Sequence, residues 1–383
     1  MYPFGDIPQN LIFGAAGVFL FCFWVSSRDL PLRYAALVSV IKILIPVVYF
    51  SNNLSGSIHV SDDLAYYYEG LQLIQRGYNL VTLFLDPLGV PFLLKLTGGH
   101  HVVYHLWNLN SLALIGPFYF APVLFNVGAT FVGGYFFFRL LRNLDFPMSY
   151  CRFALIFFLL HWELLAWSSF LNLKDILVMT LTLALLNQCL RVVARPSLSR
   201  LITMLLLLST FVFLRVYIPF LVLTAFILYL VLSQDGKKKW MLLGLVGTGL
   251  VFAVGEMSAG ILGNSFWFQP GNFVFGAVRY LLTPLPWNVD PKYAFLFIPS
   301  ILHLIFFIPA VAGFFALWKR HPQARLVLIY FILIVGFYSI VPGLQGVRQR
   351  VQIGFVFAWL QFHTLWFFFR VPNRGHSTED TLA

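Results

Sequence analysis

Charge is what this sequence has least of. Only 10% of its 383 residues are Asp, Glu, Lys or Arg, and just 14 are acidic. Set against 60% hydrophobic residues and a mean hydropathy of +0.84, that scarcity excludes a soluble domain whose apolar residues fit one core. A polytopic, all-helical membrane protein is expected instead. Cysteine is scarce as well: Cys22, Cys151 and Cys189 fall in or beside apolar runs, which excludes a disulfide framework and gives no thiolate metal site. No Lys/Arg-rich block exists beyond Lys237 to Lys239, so the net charge of +11 reads as a topology signal and nucleic acid is excluded as a partner. No basic n-region opens the chain, and no cleaved signal peptide is expected. Internal repeats, low-complexity tracts and a soluble domain after the last apolar run are also missing.

What is present is a series of apolar runs. They lie near Asn10–Val25, Tyr34–Phe50, Leu112–Phe138, Phe153–Trp167, Ile176–Val193, Leu201–Leu214, Val216–Leu232, Leu242–Leu262, Phe295–Leu317, Leu326–Val341 and Val351–Phe369. This predicts about eleven spans within a membrane domain of residues 1–370, several of them shorter than the usual ~20 residues. The stretch Leu201–Leu232 is split at Arg215 and Pro219, where an apolar run is interrupted. Residues 371–383 are expected to form a disordered cytoplasmic tail.

The alternating connections are unequal in charge. One set, running from Arg28 and Arg33 through Arg139, Arg142 and Arg152 to Lys319, Arg320 and Arg325, carries twice as many Lys and Arg as the other. The positive-inside rule places that set in the cytoplasm, with the N-terminus out and the C-terminus in. Asp62, Asp63, Glu69, Asp86, Asp175 and Asp290 all fall on the opposite, outer side. Chemistry is expected there.

Two outer loops are long enough to build a site, residues 51–111 and 263–294. In the first, Ser61 is a suitable N-cap, Asp62 and Asp63 suit a first helical turn, and Gly77 is a suitable stop, which predicts a helix from about Asp62 to Arg76. Its apolar stripe of Leu64, Tyr67, Tyr68, Leu71 and Ile74 predicts an amphipathic helix lying on the membrane surface. The same loop holds His100, His101, Tyr104, His105, Trp107 and Asn108; His101 and His105 have i,i+4 spacing and are candidates for metal binding or acceptor contact. In the second loop, Pro284 and Pro286 precede Trp287 and predict a rigid extended turn near Arg279. Lys174 opens a span, where a cation is misplaced unless an anion lies nearby. Arg215 stands between two short apolar runs and needs a partner, for which Glu163 and Asp175 are the protein's own candidates. His161 and Glu163 do not share a helix face, so they are not expected to form a metal site.

An acidic pair followed by Tyr66, a Lys174-Asp175 pair opening a later span, and an outward Arg215-x-Tyr217 resemble the GT-C membrane glycosyltransferases, in particular the polyprenyl-phosphate-sugar-dependent enzymes such as protein O-mannosyltransferases and lipid A aminoarabinose transferases. The resemblance covers roughly Ser51 to Leu232 and implies a GT-C-like bundle. It implies an inverting transfer of a sugar from a polyprenyl-phosphate donor to a hydroxyl of a glycan, lipid or protein acceptor, at the periplasmic or extracellular face of a bacterial inner membrane. Asp62 would then be the general base, with Asp63 orienting the acceptor or binding a divalent cation, Mg or Mn. Lys174, Arg215, Arg279, Arg348 and Arg350 would hold the donor phosphate. Tyr66, Glu69, His101, His105, Asp175, Tyr217 and Trp287 would contact substrate. The chain departs from the family pattern in an extra span before the acidic loop and in lacking a soluble C-terminal domain. Pro284-Leu-Pro-Trp287 and Arg348-Gln-Arg350 also resemble features of polysaccharide polymerases that use lipid-pyrophosphate substrates, the competing enzyme class. A non-enzymatic transporter of lipid-linked sugar is the other alternative, for which Arg215 beside Pro219 would be a broken transport helix.

Overall fold

The computed structural model describes residues 7–52, 61–232, 270–341 and 345–369, and all regular structure among them is helical. The run Leu242–Leu262, the basic triplet Lys237 to Lys239, residues 263–269 and the tail 371–383 lie outside the described residues. Among the described residues seven helical segments are long and apolar enough to cross a membrane: Gln9–Ser26, Leu32–Asn52, Phe120–Asn143, Asp175–Ala194, Pro291–Arg320, Pro322–Ile340 and Val347–Phe369. An eighth is a broken pair, Met148–Leu159 and Trp162–Phe170, bent by 45°.

In chain order the helices are α1 (Ile7–Ser26), α2 (Leu32–Asn52), α3 (Ser61–Gln75), α4 (Leu80–Leu85), α5 (Gly89–Thr97), α6 (Val102–Ile115), α7 (Phe120–Asn143), α8 (Met148–Leu159) and α9 (Trp162–Phe170). There follow α10 (Asp175–Ala194), α11 (Leu198–Val212), α12 (Tyr217–Leu232), α13 (Phe273–Leu282), α14 (Phe297–Arg320), α15 (Arg325–Ile340), α16 (Val347–Arg350) and α17 (Gly354–Phe369). The division at Arg215 appears where the sequence puts it, giving two short apolar helices, α11 and α12. Two expected runs are differently divided. The stretch Leu112–Phe138 breaks at Gly116 and Pro117, so α7 starts at Phe120. The stretch Phe153–Trp167 breaks at Leu160 and His161, which hold the bend between α8 and α9.

The centre of the bundle is the contact between α7 and α10, both buried for most of their length. Gly133 allows their close approach, because a Cβ there would stand 3.1 Å from Thr180 Oγ1. Around that pair the outer helices keep apolar side chains exposed, among them Phe13 and Trp24 on α1 and Ile308 on α14.

Connections gather at two ends. At one, Arg152 Nε donates to the Asp29 carbonyl at 3.3 Å and the rings of Phe146 and His321 lie 4.6 Å apart, bringing the α1–α2, α7–α8 and α14–α15 turns together. Arg28, Arg142 and Arg320 belong to this end. The opposite end collects α3, the α9–α10 and α11–α12 turns, and α16.

Helix α3 forms over the expected residues. Asp63, Tyr66, Tyr67, Gly70 and Leu73 are buried, and Leu71 and Ile74 of the expected apolar stripe pack beside Tyr67, whereas Tyr68 is 54% exposed. Gly70 lies so close to α6 that a Cβ would come within 3.2 Å of the Asn108 Cβ.

Candidate functional site

At the end that carries α3, side chains from four distant segments meet. The Asp62 carboxylate, in the first turn of α3, accepts from Arg348 NH1 at 2.8 Å. Arg348 comes from α16, and its Nε stands 3.3 Å from Asp175 Oδ2 at the start of α10. The other Asp175 oxygen accepts from Arg215 NH2 at 3.1 Å and from Gln352 Nε2 at 2.7 Å. Asp175 is therefore the bland partner that Arg215 required. The arrangement closes on itself: Arg215 NH1 donates to Tyr217 Oη at 2.9 Å, Tyr217 and Tyr338 share a 2.6 Å hydroxyl bond, and Tyr338 donates to Gln352 Oε1 at 2.9 Å. This ring fixes Arg215 and Asp175 in a buried place, where an isolated charge would be costly.

Lys174, one residue before α10, donates to the Tyr66 hydroxyl. Burial, and next the positive charges of Arg215 and Arg348, pull its ammonium down to about 7 against the opposing pull of Asp175 and Asp62. The rings of His101 and His105 stand edge-on to Tyr66 at 6.1 and 5.2 Å. His101 Nδ1 bonds the Leu214 carbonyl at 2.8 Å, pinning α6 to the α11–α12 turn, and His105 lies 3.1 Å from Glu69. Burial depresses these imidazoles to about 4 and about 3, which leaves both uncharged near neutrality.

In front of Asp62 lies a cleft of about 380 Å³, lined by Asp62, Arg279, Thr283, Tyr293, Gln345, Gly346, Val347, Arg348 and Gln349. Arg279 is exposed at its edge. Behind the cleft, Nε of Arg215 is buried without a hydrogen-bond acceptor among the described residues, while Nε of Arg348 has its 3.3 Å ion-pair contact with Asp175. The site thus keeps an unspent donor. Among the residues that line the cleft, the cations Arg279 and Arg348 outnumber the carboxylate Asp62, and Lys174, Arg215 and Asp175 stand behind them.

Three expectations are corrected by position. Asp63 is turned away from the cleft: it is buried, accepts from Tyr119 Oη at 2.5 Å and from the Leu64 amide at 2.7 Å, and its backbone carbonyl accepts from Asn172. Neighbours on a helix point about 100° apart, so one faces out and the other in. Arg350 points into the bundle, where it binds Glu163 and the carbonyls of Leu281 and Thr283; His303 Nδ1 lies 3.3 Å from the same Glu163 oxygen. Arg350 is a structural tie, because Glu163 is the buried carboxylate within its reach. Trp287 is 75% exposed and does not line the cleft.

A divalent cation finds no ready cage. Among the described residues no three His, Cys, Asp or Glu side chains are grouped to hold a metal, and Asp62 and Asp63 serve different partners. Sequence reading missed Gln349, Gln352, Tyr338 and Tyr293; the signal for the first two is the polar run Gln345–Gln352 inside an apolar region. No protein-family model, curated protein or solved structure matches the chain, and the functional reading rests on this geometry.

Proposed function

We propose that the protein is a GT-C-type inverting glycosyltransferase that moves a sugar from a polyprenyl-phosphate donor to an acceptor hydroxyl. The observation that carries this reading is the convergence of Asp62 with an excess of guanidinium and ammonium groups at one cleft. A carboxylate at the cleft suits proton removal from a hydroxyl, and surplus cations suit a phosphate that gains negative charge as it departs.

The roles follow from the contacts. Arg279 and Arg348 receive the donor phosphate at the cleft, with Arg215 and Lys174 as the positive wall behind. Phosphate oxygens compete with Asp62 for Arg348, and that exchange releases an Asp62 oxygen to accept the acceptor's proton. The acceptor oxygen bonds the anomeric carbon as the bond from that carbon to the phosphate oxygen breaks. The bond electrons leave with the phosphate, and configuration inverts. The Asp175–Arg215–Tyr217–Tyr338–Gln352 ring keeps the cationic wall in place while the charge moves.

In this reading the chain forms a bundle of about eleven spans within residues 1–370. The loops 51–111 and 263–294 lie on the outer face of a bacterial inner membrane, and α3 sits at the interface. The basic residues at the opposite end support that orientation. The test is to incubate the purified protein in lipid vesicles with radiolabelled polyprenyl-phosphate hexose and hydroxyl acceptors. Release of polyprenyl phosphate with label on the acceptor, lost in Asp62→Asn, is expected. Label that crosses the bilayer still bound to its lipid would instead indicate transport.

A further inference from the structure

Gln349 follows Arg348 on α16 and lines the cleft, yet its side chain is buried and its Oε1 has no hydrogen-bond donor. The backbone around it is fixed: the Gln349 carbonyl accepts from Tyr280 Oη at 3.2 Å, which anchors α16 to α13. The amide oxygen is folded over Gly346, where a Cβ would stand only 2.6 Å from it. An unpaired buried amide oxygen is unfavourable, and chains retain such groups chiefly where something else completes them. Among the described residues nothing else does.

The surroundings say what would. Arg279 and Arg348 on the same walls recognise an anion, and Asp62 recognises a hydroxyl proton. Gln349 adds an uncharged amide, which suits a neutral donor such as a sugar hydroxyl. The cleft volume corresponds to on the order of a dozen water-sized groups, the size of one monosaccharide ring.

We propose that Gln349 reads the sugar of the donor: its amide turns off Gly346 and accepts a hydrogen bond from a hydroxyl of the single monosaccharide whose phosphate Arg279 and Arg348 hold. This rests on the reading of the cleft as a sugar-phosphate site. Gly346 is the resting place of the amide, and the ligand hydroxyl replaces a packed but unpaired state with a paired one. Discrimination between sugars then comes from whether a hydroxyl meets that oxygen, since a polar group left unpaired penalises the wrong epimer or deoxy analogue.

The experiment titrates the purified full chain in detergent with inorganic phosphate and with mannose, glucose and galactose 1-phosphates, by calorimetry. At least one hexose phosphate is expected to bind about five- to tenfold more tightly than phosphate, the gain of one net hydrogen bond. Gln349→Leu should abolish that gain and leave phosphate affinity unchanged. Gly346→Ala, which displaces the amide from its resting place, should keep or enlarge the gain. A gain that survives Gln349→Leu overturns the role of Gln349 and leaves the sugar-phosphate reading intact. Absence of binding by phosphate and by every hexose phosphate overturns that reading, and this inference with it. If Gln349→Leu does not fold, Gly346→Ala decides: a lost gain overturns the role of Gln349, and a retained or larger one supports it.

Discussion

Arg348 and Arg350 leave the same short helix toward carboxylates of two separate networks, Arg348 to Asp62 and Asp175 at the cleft and Arg350 to Glu163 inside the bundle. Residues two apart on a helix point roughly 200° from each other, so one turn of chain serves both. The inner arginine fixes where the outer one can reach. Displacement of the cleft arginine therefore has to work through its side chain, because the backbone is tied to the core at Glu163, Leu281 and Thr283.

Asp62 and Asp63 should separate cleanly by experiment. Asp62→Asn is expected to lower transfer by ~10²-fold or more, with the donor lipid still bound and thermal unfolding unchanged. Asp63→Ala should lower stability by about 1–3 kcal/mol, because the Tyr119 hydroxyl loses its buried acceptor. Transfer assays and melting curves on the same preparations check both; the opposite pattern would move the base to Asp63.

The arginines of the cleft differ in how much structure depends on them. Arg279→Ala removes an exposed side chain and should weaken donor binding without shifting the melting temperature. Arg348→Lys keeps the charge but cannot hold Asp62, Asp175 and a phosphate with one planar fork, so affinity and turnover should both fall while the fold is retained. Normal donor affinity in both variants would sink the phosphate-binding assignment.

Arg350 belongs to a different category of experiment. Arg350→Ala strands the buried Glu163 carboxylate and should destabilise the protein by ~3–5 kcal/mol, measured by denaturant unfolding in detergent. The double variant Arg350→Met with Glu163→Leu should recover a large part of that loss. Turnover per folded molecule should still fall in it, because the backbone that carries Arg348 loses its tie to the core although neither removed side chain lines the cleft.

Donor affinity should depend on pH through Lys174. Its ammonium is held near 7, so the positive charge is present below that pH and is lost as pH rises through it. Binding of the anionic headgroup should weaken over that range, with proton uptake on binding near neutrality. His101 and His105, depressed to about 4 and about 3, stay neutral across it and contribute nothing. Lys174→Met should flatten the profile; an unchanged slope in that variant would assign the titration elsewhere.

Much of this was legible in residue type and little in direction. The helical membrane class follows from hydropathy, and seven of the apolar segments are long helices, because twenty apolar residues leave few alternatives. The Arg215–Asp175 pair was readable because a guanidinium between apolar runs has few partners. Arg350 was misplaced because its carboxylate lies 187 residues away in sequence, where no local pattern reaches. The inward placing of Asp63 and Gly70 on α3 was not legible, because hydrophobic periodicity discounts an aspartate and a glycine, and these are the residues that the Tyr119 hydroxyl and the close approach of α6 hold inward.

The bond from Arg348 to Asp62 joins positions 286 residues apart, and its consequence belongs to biosynthesis. At ribosomal speed the arginine follows the aspartate by on the order of 15–60 s. Throughout that interval the growing chain carries the Asp62 side of the cleft without Arg348, so a product that stops before α16 lacks the pair that joins the two walls.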